Sequence, residues 1–318
     1  MTHRDNARHF ELGLFTFGEL TADVATGRPS APAVRLREFV DLAILADRTG
    51  LDVFGVGEHH RPDFAISSPA VVLGAIAQAT SRVRLTSTVT VLSTADPVRV
   101  FEDFATVDLL SQGRAEITAG RGAYVESFPL FGYDLNDYDA LFEEKLDLLL
   151  KLGESERVTW TGRFRPPLDA AGVYPRPVQP RLPVWVAVGG TPASVERAGR
   201  LGLNMYLAIL GTPERFVPLA RLYRQTAAEH GHEPAALRLG VTSHTHVGRT
   251  SQGARDDFYP YYSRYIGDNM PSARGVPLPR DAFDAWAEPH GALVVGSPQE
   301  VVEKILWEHE ILGHSRFL

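Results

Sequence analysis

The chain contains no cysteine in 318 residues. Disulfides, zinc–thiolate sites, iron–sulfur clusters and thiolate nucleophiles are therefore excluded, and the composition suits a reducing compartment. There is no excess of positive charge: the formal net charge is −7, with no concentrated basic run. That argues against a general nucleic-acid role. No stretch approaches the ~18 apolar residues of a membrane span. Met1 to Phe10 is polar and lacks the apolar core of a signal peptide. A soluble cytoplasmic protein is the expectation. Also missing are a GxGxxG turn, a Walker A loop and a GxSxG elbow, so the Rossmann, P-loop and α/β-hydrolase readings have no support.

What the chain does have is apolar content, 44% of its residues, enough for one large core of barrel size. Its most telling stretch runs from Gly50 to His60. Val53, Phe54 and Val56 form an apolar run that stops at Glu58, His59 and His60. Parallel α/β folds present chemistry beyond the carboxyl ends of their strands, so this is a candidate functional loop. Upstream, residues 34–49 carry apolar positions at helical spacing, and Gly50 falls where a C-terminal cap belongs.

The same reading, carried along the chain, predicts strands at about 12–16, 52–57, 84–91, 115–119, 184–188, 204–209, 238–247 and 315–318. Helices are predicted at about 33–49, 68–79, 97–110, 138–152, 191–201, 213–230 and 297–311. Alternating strands and helices, with several near-continuous apolar strands, indicate repeated βαβ units around a parallel sheet. Eight strands favour a (β/α)8 barrel, with residues 1–318 as one domain. Two excursions interrupt the alternation: 153–182, proline-rich with two short β-like pieces, after strand four, and 255–292 before the last helix–strand pair. Ser68-Pro69 reads as an N-cap and first-turn proline. The helix it opens is apolar nearly all round, which calls for a cover on its second face, either a subunit partner or the chain's own excursions. The chain stops at Leu318, in the eighth strand, so the helix that completes such a barrel is expected to be missing or replaced by a partner.

Among polar candidates, adjacent His59 and His60 point to opposite faces of an extended chain and make a poor chelate. One should enter the barrel mouth while the other turns aside, toward Glu58. His244 and His246 share a face, but no clear third and fourth ligand accompanies them, so a metal is not expected. Gly120-Arg121-Gly122 follows strand four and places a fixed positive charge between flexible glycines. Gly189-Gly190-Thr191-Pro192-Ala193-Ser194 follows strand five and opens a helix, an arrangement suited to an anion. Together they suggest one phosphorylated ligand.

These pieces resemble, over nearly the whole chain, the bacterial luciferase-like flavin-dependent oxidoreductases. The resemblance is carried by Leu12-Gly13-Leu14-Phe15, Gly57-Glu58-His59-His60, Arg84 through Leu92, Asp96-Pro97-Val98-Arg99, Asp108 through Arg114, Gly120-Arg121-Gly122 and Gly296-Ser297-Pro298, in that order. It implies a TIM barrel that binds FMN and dimerises through its second and third helices. It implies Arg121 on the flavin phosphate, with Gly189, Gly190, Thr191 and Ser194 completing the cradle. It places a non-prolyl cis peptide at Thr88–Val89 beneath the flavin ring, and matches His59 to the catalytic histidine. The expected activity is a monooxygenase using O2 and reduced FMN from a separate flavin reductase. An enzyme using the deazaflavin F420 for hydride transfer, or a flavin-binding protein without turnover, are the alternatives.

Overall fold

The structure, a computed structural model, describes residues 9–24, 26–122, 124–270, 273 and 275–318. Thirteen strands and ten α-helices alternate through these residues. The barrel staves are β1 (Glu11–Thr16), β2 (Val53–Val56), β3 (Arg84–Ser87) with its short continuation β4 (Thr90–Val91), β5 (Ala115–Gly120), β8 (Val184–Val188), β9 (Asn204–Ala208), β10 (Leu239–Thr242) and β13 (Arg316–Phe317). The excursion strands are β6 (Arg157–Trp160), β7 (Leu168–Gly172), β11 (Thr245–Val247) and β12 (Val294–Gly296). The helices are α1 (Pro32–Thr49), α2 (Pro69–Ala79), α3 (Pro97–Ser111), α4 (Ser127–Phe131), α5 (Tyr138–Glu154), α6 (Pro192–Arg200), α7 (Val217–Glu229), α8 (Ser251–Asn269), α9 (Arg280–Trp286) and α10 (Pro298–Leu312). Strand order runs β3-β2-β1-β13-β10-β9-β8-β5, and β5 pairs back with β3. The result is a closed eight-stranded parallel (β/α)8 barrel, as the alternation predicts. Among the described residues no helix is long and apolar enough to cross a membrane.

The chain divides into two compact units. Of the described residues, one comprises those within 12–20 and 30–187; the other comprises those within 9–11, 21–29 and 188–318.

In the first unit, α1 ends where the sequence places its cap. Gly50 adopts φ 88° and its N–H donates to the Ala46 carbonyl. Only glycine takes that conformation without strain. At α2 the proline occupies the first turn, but the Ser68 side chain makes no capping bond, contrary to expectation. Asp96 does cap α3, accepting from Val98 N at 2.8 Å and Arg99 N at 3.3 Å. The predicted strand 84–91 is divided: β3 stops at Ser87, the Thr88–Val89 peptide is cis, and pairing resumes at Thr90 against Ala119. The proline-rich excursion forms the β6–β7 antiparallel hairpin.

The turn from α3 into β5 anchors this unit. Asp108 accepts from Ala115 N at 3.2 Å, Gln179 N at 3.0 Å and Gln179 Nε2 at 2.7 Å. Arg114 sends Nη1 to the Val83 carbonyl (2.7 Å) and Thr80 Oγ1 (3.0 Å). Its Nη2 reaches the Ala77 and Thr80 carbonyls (3.0 and 2.9 Å), and its Nε the Ser111 carbonyl (2.8 Å). One guanidinium thus satisfies the end of α2, the entry to β3 and the end of α3, where helix carbonyls lack internal partners.

In the second unit the predicted strand 238–247 also divides. β10 pairs with β9 and β13 as a stave, whereas β11 leaves to pair with β12, a segment with no predicted strand. Both pieces have strand-forming residues; the exchange of partner between Thr242 and Thr245 is not encoded in either. The 255–292 stretch contains helices α8 and α9. Pro260 lies inside α8 and obscures it in the sequence, although Ala254, Phe258, Tyr262 and Ile266 recur every fourth residue and pack against Phe283, Leu293 and Val295. Glu11 binds the buried Arg316 at 2.5 Å and Arg238 at 2.6 Å, and Arg316 also donates to Tyr206 Oη at 2.9 Å. The last strand is held by Leu318 N to the Val241 carbonyl at 3.0 Å.

Replacing Arg114 by Met should leave at least four carbonyls without their donor. The expected loss is about 3 kcal/mol or more, given that hydrogen bonds to a charged group contribute roughly 1.5–3 kcal/mol each. Denaturant unfolding measures it; Arg114→Lys should recover less than half, because an ammonium cannot reach three elements at once.

Candidate active site

The strand ends of the first unit bring the sequence candidates together. His59 leaves β2 through Gly57 and Glu58, and its backbone N–H donates to the Ile66 carbonyl at 2.9 Å. The loop is pinned further by Leu20 N to the Asp63 carbonyl (2.8 Å) and Ala65 N to the Gly18 carbonyl (2.7 Å). The imidazole of His59 is enclosed by three rings: Phe64 at 4.2 Å between centroids, Tyr124 at 5.0 Å and Phe17 at 5.1 Å. Its Nε2 is buried and has no hydrogen-bond partner among the described residues. Burial is the main reason that its pKa is brought down to about 4; the charges of Arg61 and His60 add to this, and Asp63 opposes it. His59 is therefore neutral near pH 7, with one ring nitrogen uncommitted.

His60 turns aside as its sequence position implies. Its Nε2 lies 2.9 Å from Glu58 Oε1, and its ring edge meets Phe131 at 5.0 Å. The other Glu58 oxygen accepts from Val91 N at 3.0 Å. Glu58 therefore ties the end of β2 to the segment that follows the cis peptide. A cavity of about 290 Å3 opens beside these groups, lined by His59, His60, Arg61, Phe64, Ser67 and Leu130 among others.

Thr88 and Val89 sit where three glycines permit close approach. A Cβ on Gly55 would lie 2.7 Å from Thr88 Cγ2, and one on Gly120 would lie 2.5 Å from Val89 Cγ2. A Cβ on Gly57 would meet Phe17 at 2.5 Å. These glycines are spacers for the 88–89 segment and the aromatic wall. The hydroxyls of Thr88, Thr90 and Ser93 are buried and lack partners among the described residues. Unpaired buried hydroxyls cost free energy unless a ligand or water meets them, so they mark a place where a polar group fits. Arg121, at the end of β5, is mostly buried, 5.0 Å from the Tyr138 ring and 2.5 Å from Asp139 Oδ1. Asp139 holds the guanidinium in place, a partner the sequence reading missed because it lies at the start of α5, eighteen residues on.

In the second unit, Gly189 and Gly190 are open: a Cβ on either would touch nothing within 4 Å. Gly190 has φ 118°, a conformation that L side chains rarely adopt. Thr191 precedes α6 without making a side-chain cap, and Ser194 Oγ is buried with no partner among the described residues. An open glycine pair, an uncapped helix start and an orphaned hydroxyl fit an anionic group such as a phosphate. His244 and His246 go to separate partners. His244 Nδ1 lies 3.0 Å from Tyr262 Oη, while His246 stacks on Phe258 at 5.3 Å. Among the described residues no group of three or more His, Cys, Asp or Glu could hold a metal ion.

Sequence reasoning missed Phe17, Phe64 and Tyr124. Phe17 directly follows β1 and Tyr124 lies four residues past β5, so strand-end position was the available signal; their convergence on His59 was not.

Comparison with known proteins places the chain among flavin-dependent oxygenases and their relatives. The profile described as luciferase-like monooxygenase matches residues 10–315. The flavin-dependent trigonelline monooxygenase, oxygenase component, of Acinetobacter baylyi is 25% identical over 299 residues, 88% of this chain and 81% of that protein. The F420-dependent glucose-6-phosphate dehydrogenase of Amycolatopsis mediterranei is 31% identical over 183 residues, 55% of this chain and 54% of the dehydrogenase. Among solved structures, the monooxygenase RslO1 from Streptomyces bottropensis superposes with a TM-score of 0.83 at 26% identity, covering 96% of this chain and 91% of that one.

Proposed function

The chain belongs to the luciferase-like monooxygenase family and is an enzyme of its flavin-dependent monooxygenase and oxidoreductase class; from that premise we propose that it is the oxygenase component of a two-component system, using reduced FMN and O2 to oxygenate a small organic substrate. The observation that carries this reading is His59: a neutral imidazole with a free buried nitrogen, walled by aromatic rings and open to a cavity. Such a group can take up or deliver a proton to a molecule in the cavity beside it. The similarity to an oxygenase component supports supply of reduced flavin by a separate reductase.

In this reading Arg121 pairs with the flavin phosphate, and Gly189, Gly190, Thr191 and Ser194 accept the same group at the start of α6. Thr88 and Val89 support the ring, with the Thr88 hydroxyl available to a ring polar atom. Reduced FMN held there would supply the two electrons needed for one oxygen atom of O2 to enter the substrate and the other to leave as water. His59 Nε2 would take or return the proton that accompanies this, and its three rings hold the imidazole in place. His60 and Glu58 orient the loop. The F420-dependent relative supports a second reading, hydride transfer with deazaflavin in the same place. Titrating the protein with FMN and with F420, each oxidised and reduced, separates the two; tight binding of F420 alone would reject the FMN reading.

Arg121→Ala should weaken FMN binding by about tenfold to a hundredfold, the value of one charge-assisted hydrogen bond, and riboflavin binding far less. Equal loss for both ligands would assign Arg121 to folding.

His59→Ala should keep FMN affinity and melting temperature close to normal and lose turnover by about a hundredfold or more, the usual scale of acid–base catalysis. The assay is turnover with chemically reduced FMN and O2, beside a flavin titration; full activity would remove His59 from the mechanism.

The exposed apolar side chains of α1, α2 and α3 support a homodimer. Val71 is 72% exposed, and Leu45, Leu109 and Leu110 are exposed too. Large apolar groups gathered on adjacent helices favour a partner surface. Sedimentation at micromolar concentration should give a dimer that Val71→Asp dissociates; a stable wild-type monomer would reject it.

A further inference from the structure

The loop that carries His59 also carries an arginine with an unusual set of neighbours. Arg61 is bound at two points by Asp63, Nε to Oδ1 at 2.9 Å and Nη2 to Oδ2 at 2.8 Å. Asp63 is itself fixed, since its carbonyl accepts from Leu20 N. The guanidinium carbon lies 4.5 Å from the Tyr124 ring centroid and 5.7 Å from that of Phe64. These are two of the three rings that enclose His59. The remaining guanidinium nitrogen, Nη1, is 3.9 Å from Glu126 Oε1. Glu126 stands directly before α4, whose Leu130 lines the cavity.

We propose that Arg61 is the positioning residue of this site: it clamps Tyr124 and Phe64 against His59 and sets a fixed positive charge on the wall of that imidazole. The geometry separates this role from substrate binding. Two of the three guanidinium nitrogens are committed to Asp63, and a second carboxylate stands near the third, so few donors are left to bind an anionic substrate. What remains is a cation held against the Tyr124 and Phe64 rings.

Among the described residues, the titratable and charged groups facing His59 come from two segments. From its own loop come His60, Arg61 and Asp63, with Glu58 engaged by His60. From the segment after β5 come Tyr124 and, through Arg61, Glu126. Phe17 and Phe64 carry no charge. Burial is the first cause that favours the neutral ring, and the Arg61 charge is the second. Without Arg61 the Asp63 carboxylate would be unpaired and would favour the imidazolium, so both changes act in the same direction. A protonated His59 cannot accept a proton, and turnover would be lost from the acid side at a higher pH than in the wild type.

The role rests on His59 acting in turnover, but its test does not. Histidine-labelled full-length protein without flavin is titrated by NMR, and the His59 midpoint is read in the wild type, Arg61→Gln, Arg61→Lys and Asp63→Asn. Arg61→Gln should raise the midpoint by roughly one pH unit or more, the usual effect of one close charge. Arg61→Lys should keep it within about half of that shift, and Asp63→Asn should leave it unchanged or lower it. The acid limb of the turnover profile should move with the midpoint. An unmoved midpoint in Arg61→Gln, or an equal rise in Arg61→Lys, overturns the proposal. If Arg61→Gln does not fold, a rise in Asp63→Asn overturns it instead. The expected midpoints without any turnover on reduced FMN would reject the monooxygenase reading and leave the clamp standing.

Discussion

The register between β3 and β5 is the constraint on which the site depends. Leu85 faces Ala115 and Thr86 faces Glu116, with Leu85 N donating to the Arg114 carbonyl. That pairing is fixed from below by Arg114, which binds carbonyls at the ends of α2 and α3 and at the entry to β3, and by Asp108, which holds Ala115 and Gln179. A slip of one residue would turn every side chain of β3 to the opposite face. Thr88 and Val89 would then no longer lie against Gly55 and Gly120. The motif from Asp108 to Arg114 is thus a structural anchor, placed at the opposite end of the strands from the chemistry it serves.

At the other end of the same strands, the site is built by ties between neighbours. Glu58 joins the β2 loop to Val91, using one oxygen for His60 and the other for a backbone amide. Glycines at positions 55, 57 and 120 leave room where the Thr88 side chain, the Phe17 ring and the Val89 side chain, respectively, meet the backbone closely. The 88–89 segment and the His59 loop are thereby held side by side. Two buried polar atoms there stay uncommitted: His59 Nε2 and the Thr88 hydroxyl have no partners among the described residues.

The electrostatic logic follows from burial. An imidazole surrounded by three rings is poorly hydrated, so its charged form is disfavoured before any neighbouring charge acts. Arg61 adds to that preference while its own charge is contained by Asp63. In the other unit, the start of α6 has the complementary character: an open glycine pair and an orphaned serine hydroxyl at the positive end of a helix. These are the features of an anion site at a helix start.

The sequence by itself determined the barrel, because alternating apolar strands and amphipathic helices have few other ways to bury their faces, and it determined which strand ends carry polar groups. His59, Arg121 and the 189–194 segment were all legible as strand-end residues, and Gly50 as a cap, because these depend on local conformation. The division of 84–91 and 238–247 was not legible: residues of strand-forming type run through both, and only the available hydrogen-bonding partner decides where pairing stops. Helix α8 was hidden by Pro260, although its four-residue spacing was present. The enclosure of His59 by Phe17, Phe64 and Tyr124, and the hold of Asp139 on Arg121, were decided by tertiary structure alone, since residues up to 107 positions apart acquire their roles only when the closed sheet brings their loops together.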